Sequence, residues 1–293
     1  MKNIFFFIGK GGVGKSTTSS LYSIKKSDER KTLLVSMDPA HNQRDIFNMK
    51  FNQDITKINE MFSIIEVDEE YWIKKYLSET EKEIKRNYNY QSAFNMGKYY
   101  NILQYSPGVE EYALVLAFEN IISKHTEYWN IIFDMPPTAL TLKFFMLPSV
   151  SKLWVQELIK LRKEIISKKE IISKIKFGTK KIETDKIKNK LDNLLKRYNK
   201  IDKIFKSKRT KINLVLNYDK LSFRESLRIK EKLESSGINI NKLVINKVKN
   251  ENYIKEIKEE FNHDKITIYP FSDMNLSGLS KLKEYLNRYK DEK

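Results

Sequence analysis

The chain has 293 residues, 40% hydrophobic and 12% aromatic, which is enough for a buried core and argues against global disorder. It has no cysteine, which excludes disulfides and thiolate metal sites, and no apolar run approaches the ~20 residues that span a bilayer. The formal charge of +17 is uneven: residues 151–210 hold 20 Lys/Arg against 7 Asp/Glu. Such a segment either attracts nucleic acid or an anionic lipid surface, or simply forms solvated helix faces.

The first apolar run, Asn3–Ile8, carries three consecutive phenylalanines and reads as a buried strand. Gly9-Lys10-Gly11-Gly12-Val13-Gly14-Lys15-Ser16 follows it with the pattern G-x-x-x-x-G-K-[ST], and residues 16–26 are free of Gly and Pro and open a helix. In that context the backbone N–H groups of Gly11, Gly12, Val13, Gly14, Lys15, Ser16 and Thr17 are expected to cradle phosphates at a helix N-terminus. Lys15 is expected to reach the β/γ-phosphates, and the Ser16 hydroxyl to hold Mg2+. A dinucleotide-binding glycine turn has no use for the Lys15-Ser16 pair. Lys10 is an extra cation that an ordinary phosphate loop does not need. It is placed to reach across a two-fold interface toward a neighbour's nucleotide, as an arginine finger does, or else it is a solvated surface lysine. Because this loop begins nine residues in, the N-terminus lacks the pattern of a secretory signal, and a cytoplasmic protein is expected.

Residues 31–37 form a second strand-like run that ends at Asp38-Pro39. A carboxylate held there is suited to position or deprotonate an attacking water. His41 reads as a loop histidine without a catalytic part. Residues 62–67 are a third run, and the charged stretch 69–84 a helix. The fourth run, 129–134, ends in Asp134, the form expected of the second Mg2+-associated carboxylate, and Met135-Pro136-Pro137-Thr138 would be a stiff loop beside the γ-phosphate. Residues 69–100 and 151–210 read as helical insertions in a single domain spanning 1–293. In the larger one, Trp154, Leu158, Leu161, Ile165, Ile172 and Ile175 keep helical spacing, as do Ile187, Leu191, Leu194, Tyr198, Ile201 and Phe205, with a turn at Gly178-Thr179. The two stripes are expected to bury each other or to cover a sheet. Further runs at 211–217, 242–246 and 265–269 complete an alternation of strands and helices. That alternation predicts an α/β fold, a parallel doubly wound sheet of about seven or eight strands with ligands beyond its carboxyl edge.

Together, GKGGVGKST, a DPAHNQRDIF first switch, SPGVEEYALVLAF, IIFDMPPTALTLKFFMLP, LVLNYDKLSFRESLRIKEKLESSGININKLVINKV and IYPFSDMNLSGLSKL resemble the ArsA-like ATPases. That family includes arsenite-pump ATPases and the tail-anchored-protein targeting factor, and is a branch of the larger group with ParA and MinD. The resemblance covers most of the chain outside the hairpin. It implies an ATP hydrolase that works with Mg2+, dimerises with nucleotide, and energises or delivers a client protein in membrane-protein targeting or transport. By this resemblance Asp38 looks like the water-activating residue, Asp134 a Mg2+ holder and Lys10 the signature lysine acting in trans. Asn246 with Pro270-Phe271 would frame the adenine.

There are departures from the family pattern. In the second switch Met135-Pro136 stands where relatives commonly have Thr-Ala, and Ala139-Leu140 where they have Gly-His, which implies a stiffer loop. The targeting factor's C-x-x-C zinc pair is missing, and arsenite capture by a cysteine cluster is impossible without thiols. The hairpin also lacks the methionines that suit an adaptable client groove, although Met96, Met135 and Met146 lie nearby in sequence. The other reading is a ParA-like positioning ATPase whose basic hairpin rides on DNA or anionic membrane.

Overall fold

The computed structural model describes residues 2–40, 42–87, 103–177, 185–249, 257, 259, 261 and 265–289. Among them eight strands form one sheet. They are β1 (Asn3–Ile8), β2 (Thr32–Ser36), β3 (Thr56–Lys57), β4 (Phe62–Glu66), β5 (Asn130–Asp134), β6 (Thr210–Asn217), β7 (Lys242–Val248) and β8 (Ile266–Pro270). Their order is β3-β4-β2-β5-β1-β6-β7-β8, and every pair is parallel except β3 with β4. This is the expected α/β architecture. Seven strands match the seven apolar runs to within two residues, while β3 is a two-residue edge too short to leave a periodic signal. The helices are α1 (Lys15–Ser27), α2 (Gln43–Phe47), α3 (Glu69–Asn87), α4 (Val109–Lys124), α5 (Thr138–Phe177), α6 (Lys186–Phe205), α7 (Lys220–Ser235) and α8 (Leu279–Arg288).

The chain divides into two compact units, Met1–Phe144 with Lys208–Lys293, and Phe145–Ser207. The first holds the sheet, with β1 at its centre. The three phenylalanines of β1 alternate between its faces. Phe5 and Phe7 pack on Tyr22 of α1, with ring centroids 5.2 and 5.3 Å away. Phe6 points the other way, into Phe118, Phe133 and Phe144 at 5.1–6.1 Å. A strand covered on both sides has no solvent face to spend polar residues on, hence the unbroken apolar run.

The second unit contains the later part of α5 and all of α6. Asp185 accepts from Arg162 Nε and Nη2 at 2.8 and 3.1 Å, and also caps α6 by accepting from the N–H groups of Ile187 and Lys188. Asp202 gathers Ser149, Lys152 and Lys206, and Phe145 packs edge-on against Phe205. The buried face of α5 carries Ser151, Val155 and Ile159, not the stripe expected from spacing. Trp154, Leu158, Leu161, Ile165, Ile172 and Ile175 are exposed, Trp154 by 68% and Ile175 by 79%. The helix is apolar on two sides, so 3/4 spacing alone does not choose which side is buried. Of the α6 stripe, Tyr198, Ile201 and Phe205 are buried and Ile187 is exposed. Helix α5 also begins thirteen residues earlier than the expected insertion and runs through Pro148. A proline inside a helix removes one backbone hydrogen bond and usually breaks or kinks it, yet α5 continues through this one. Residues 88–100 of the first insertion, with Met96, lie outside the described residues, as do His41, Gly178 and Thr179. Among the described residues no helix is long and apolar enough to cross a membrane.

Candidate functional site

Strand register brings the candidate residues together. β5 lies between β1 and β2, and Asp134, its last residue, is level with Phe7 on one side and Ser36 on the other. The phosphate loop therefore starts two residues past the level of Asp134, and Asp38 sits two residues past it on the opposite side. All three occupy the carboxyl edge at the point where the chain's strand order reverses about β1, the place where doubly wound sheets bind ligands.

Three glycines of the loop, Gly9, Gly12 and Gly14, have positive φ, and at two of them a side chain would also find no room. Gly14 has φ +88° and forms the N-cap of α1, where a Cβ would run into the side-chain amide of Asn246. A Cβ on Gly9, at φ +150°, would meet the carbonyl oxygen of Val215. Gly14→Ala carries left-handed strain of about 1–2 kcal/mol, which is relieved only by moving the loop off the phosphate position. Calorimetry is expected to show at least roughly tenfold weaker nucleotide binding in this variant.

Four candidate side chains are enclosed at this edge. Lys15, Asp38 and Ser16 are 5%, 6% and 8% exposed, and Asp134 is fully buried. Burial pulls the Lys15 ammonium below its ordinary range, and the carboxylates of Asp134 and Asp38 hold it partly up. Lys15 Nζ donates to the Lys10 carbonyl at 3.2 Å. Burial pushes the Asp134 carboxyl up to about 7, with Asp38 adding to the rise, against the pull of the Ser16 hydroxyl, the Lys15 ammonium and the Gln43 amide. Asp134 Oδ2 accepts from Gln43 Nε2 at 3.0 Å, whereas buried Oδ1 has no hydrogen-bond partner. Asp38 Oδ1 accepts from the Ala40 N–H at 3.1 Å, a local turn that fixes its carboxylate. In the second switch Met135 is fully buried, Thr141 Oγ1 donates to the Pro136 carbonyl at 2.6 Å, and buried Thr138 Oγ1 has no partner.

An unpartnered buried carboxylate oxygen beside a serine hydroxyl is a hard-oxygen donor pair, which suits Mg2+. Among the described residues no cluster of three or more His, Asp or Glu could hold a metal. Mg2+ is usually held by one or two protein groups together with substrate phosphates. Lys10 Nζ is ion-paired to Glu225 of α7 at 3.0 Å, both side chains about one-third exposed. Asn246, near the end of β7, donates from Nδ2 to the Val13 carbonyl at 2.8 Å and so is fastened to the phosphate loop. Pro270 ends β8, its carbonyl accepting from Tyr285 Oη, and Phe271 beside it is 40% exposed with Lys249 Nζ 4.5 Å from its ring centroid.

The family model described as anion-transporting ATPase (ArsA) matches residues 1–253. The chain belongs to the anion-transporting ATPase family. It is accordingly an ATP hydrolase with the P-loop type of α/β fold. It is 31% identical to arsenical pump-driving ATPase 2 of Aquifex aeolicus strain VF5, over 96% of this chain and 97% of that one. An ATPase ASNA1 homolog of Entamoeba dispar is 29% identical over 83% of this chain and 75% of its own length. The ATPase GET3 of Mycosarcoma maydis is 37% identical over 50% of this chain and 42% of its own.

Several site residues of this anion-transporting ATPase escape sequence reasoning. Gln43 is fully buried against Asp134, and Arg44 Nε donates to the buried Glu66 at 2.6 Å. Lys247 takes φ +57° at an irregularity in β7, and its Nζ reaches the Gly12 carbonyl at 3.4 Å. Gln43 and Arg44 lie inside the first-switch segment DPAHNQRDIF, but nothing in that segment says which carboxylate each side chain meets, and Lys247 lies in no motif that marks it. Only the position of Gln43 and Arg44, between the first-switch aspartate and an apolar pair, hints at a special environment.

Proposed function

We propose that this ATPase is a dimeric, Mg2+-dependent switch that uses the nucleotide cycle to receive and release a client protein. The observation that carries the reading is the enclosed group of Lys15, Ser16, Asp38 and Asp134 beyond β1, β2 and β5, with one Asp134 oxygen unpartnered. Ser16 and Asp134 would hold the Mg2+, which when bound neutralises charge on the β- and γ-phosphates. The amides of residues 11–17 bind the phosphates, Lys15 compensates their charge, and Asp38 orients the attacking water and accepts its proton. Lys10 acts in trans across the dimer, and Asn246, Pro270 and Phe271 frame the adenine.

The client reading is supported by the exposed apolar stripe of α5, where five of six successive spaced positions from Trp154 to Ile172 are large hydrophobic side chains and the sixth is Lys168. A patch of this kind on a soluble surface marks an interaction site for apolar partners. It favours a protein segment over DNA, which would be read by charge alone. Electrostatic DNA binding would weaken steeply as salt rises, whereas an apolar client would be held as salt increases.

Asp38→Asn is expected to bind ATP with near-normal affinity by calorimetry and to lose turnover by at least about a hundredfold, the range for removing a positioned proton acceptor. Turnover at the wild-type rate would remove Asp38 from the water-positioning role. A wild-type protein that gives no binding heat with ATP and Mg2+ would overturn the reading as a whole.

A further inference from the structure

We propose that Gln43 is a positioning residue for the metal-side carboxylate, fixing Asp134 with its buried amide and tying the first-switch helix α2 to the phosphate loop. This rests on the reading of Asp134 and Ser16 as the Mg2+-holding pair. Gln43 is the first residue of α2 and has no exposed surface. Its Nε2 donates to Asp134 Oδ2 at 3.0 Å and lies 3.4 Å from the Ser16 carbonyl. Its Oε1 accepts from Ser20 Oγ at 2.7 Å. With Asp134 ionised, as it must be to hold a cation, the amide has one favoured orientation. Turning it over would set Oε1 against the ionised Asp134 carboxylate and the Ser16 carbonyl, both acceptors.

A buried amide is costly where an aliphatic side chain of similar size would fill the same space, so packing alone does not account for it. What the amide does is engage one oxygen of Asp134 and leave the other unpartnered, which is the arrangement a cation needs. It touches both halves of the pair, Asp134 through its carboxylate and Ser16 through its carbonyl, while neighbouring Asn42 Nδ2 lies 3.5 Å from the Ser16 hydroxyl. Arg44, the next residue, is pinned to Glu66 at the end of β4. The loop bearing Asp38 is thus held at its far end by two consecutive side chains, one of them reading the metal-side carboxylate. A shift of Asp134 toward a cation is transmitted through Gln43 to α2, and so to the segment that presents Asp38. Partners that orient a metal-binding group from behind typically account for roughly 10–100-fold in metal affinity.

The test titrates Mn2+, followed by electron paramagnetic resonance, into protein preloaded with ADP. In Gln43→Met, similar in size and unable to donate, Mn2+ affinity is expected to fall roughly 10–100-fold and the bound-Mn2+ spectrum to change, while ADP affinity in EDTA stays within about twofold. Ser20→Ala leaves Gln43 in place and removes the hydroxyl that fixes its orientation. It is expected to weaken Mn2+ binding in the same direction by roughly 2–10-fold, and it keeps the test alive if the first variant folds poorly. Unchanged Mn2+ affinity and spectrum in both variants would overturn the proposal. So would an equal loss of ADP affinity in EDTA, which would make Gln43 a packing residue. Wild-type protein that binds ADP but takes up no Mn2+ would instead overturn the reading of Asp134 on which the proposal stands.

Discussion

Asp134→Asn is expected to raise the melting temperature of the nucleotide-free protein at pH 8 while abolishing its response to Mg2+. The carboxyl is fully buried, one oxygen lacks a partner, and burial pushes its protonation up to about 7. An acid whose folded-state value is raised holds its proton in the folded protein when the unfolded chain has already lost it. Stability therefore falls as pH rises from about 4 to about 7 and stays reduced above. Asparagine has the same shape, keeps an oxygen for Gln43 and carries no charge. After allowing for its unpartnered NH2 and for the support Lys15 loses, a net gain of about 2 kcal/mol remains. That corresponds to a rise of roughly 4–8 °C at pH 8, shrinking toward nothing near pH 4. With Mg2+ and ADP the order reverses, because the wild type gains the binding energy and the variant does not. A variant less stable than wild type at pH 8 without nucleotide would mean that this carboxylate is not a cost held in reserve for a cation.

Much of this site is legible in the sequence because its parts are local. The phosphate loop is contiguous, and both aspartates sit at the ends of apolar runs, where a parallel sheet must place them on one edge. The strand register then aligns Phe7, Asp134 and Ser36, a long-range consequence of pairing that follows once the runs are recognised as neighbouring strands. The Gln43–Asp134 and Arg44–Glu66 contacts are a different matter. Each joins residues far apart in the chain by side-chain geometry, and neither composition nor periodicity encodes it. The hairpin shows the opposite limit, where a clear pattern has two solutions. Two apolar series run along α5 one residue apart, and only the partner groups Asp185, Asp202 and Phe205 show that the Val155–Ile159 side is the inner one.

Lys10→Ala is expected to slow ATP turnover by roughly 10³-fold or more, the effect of removing a cation that stabilises transferring phosphoryl charge in trans, with ATP affinity little changed. In the single chain Lys10 is paired with Glu225, and an exposed pair of this kind is worth only about 0–1 kcal/mol, so a neighbour's nucleotide can draw the ammonium away. Whether the lysine serves its own site or its neighbour's is decided by mixing two inactive variants. In a dimer of Lys10→Ala with Asp38→Asn, the first protomer keeps its own Asp38 and borrows the second's Lys10, so one complete site is assembled. The second site lacks its aspartate and stays silent. With random exchange half the dimers are mixed and half their sites competent, so an equimolar mixture should recover roughly a quarter of wild-type turnover. If Lys10 works within its own chain, no combination of the two variants contains a complete site and the mixture stays inactive. Recovery also requires the protomers to associate, because the lysine and the phosphate it serves then belong to different chains.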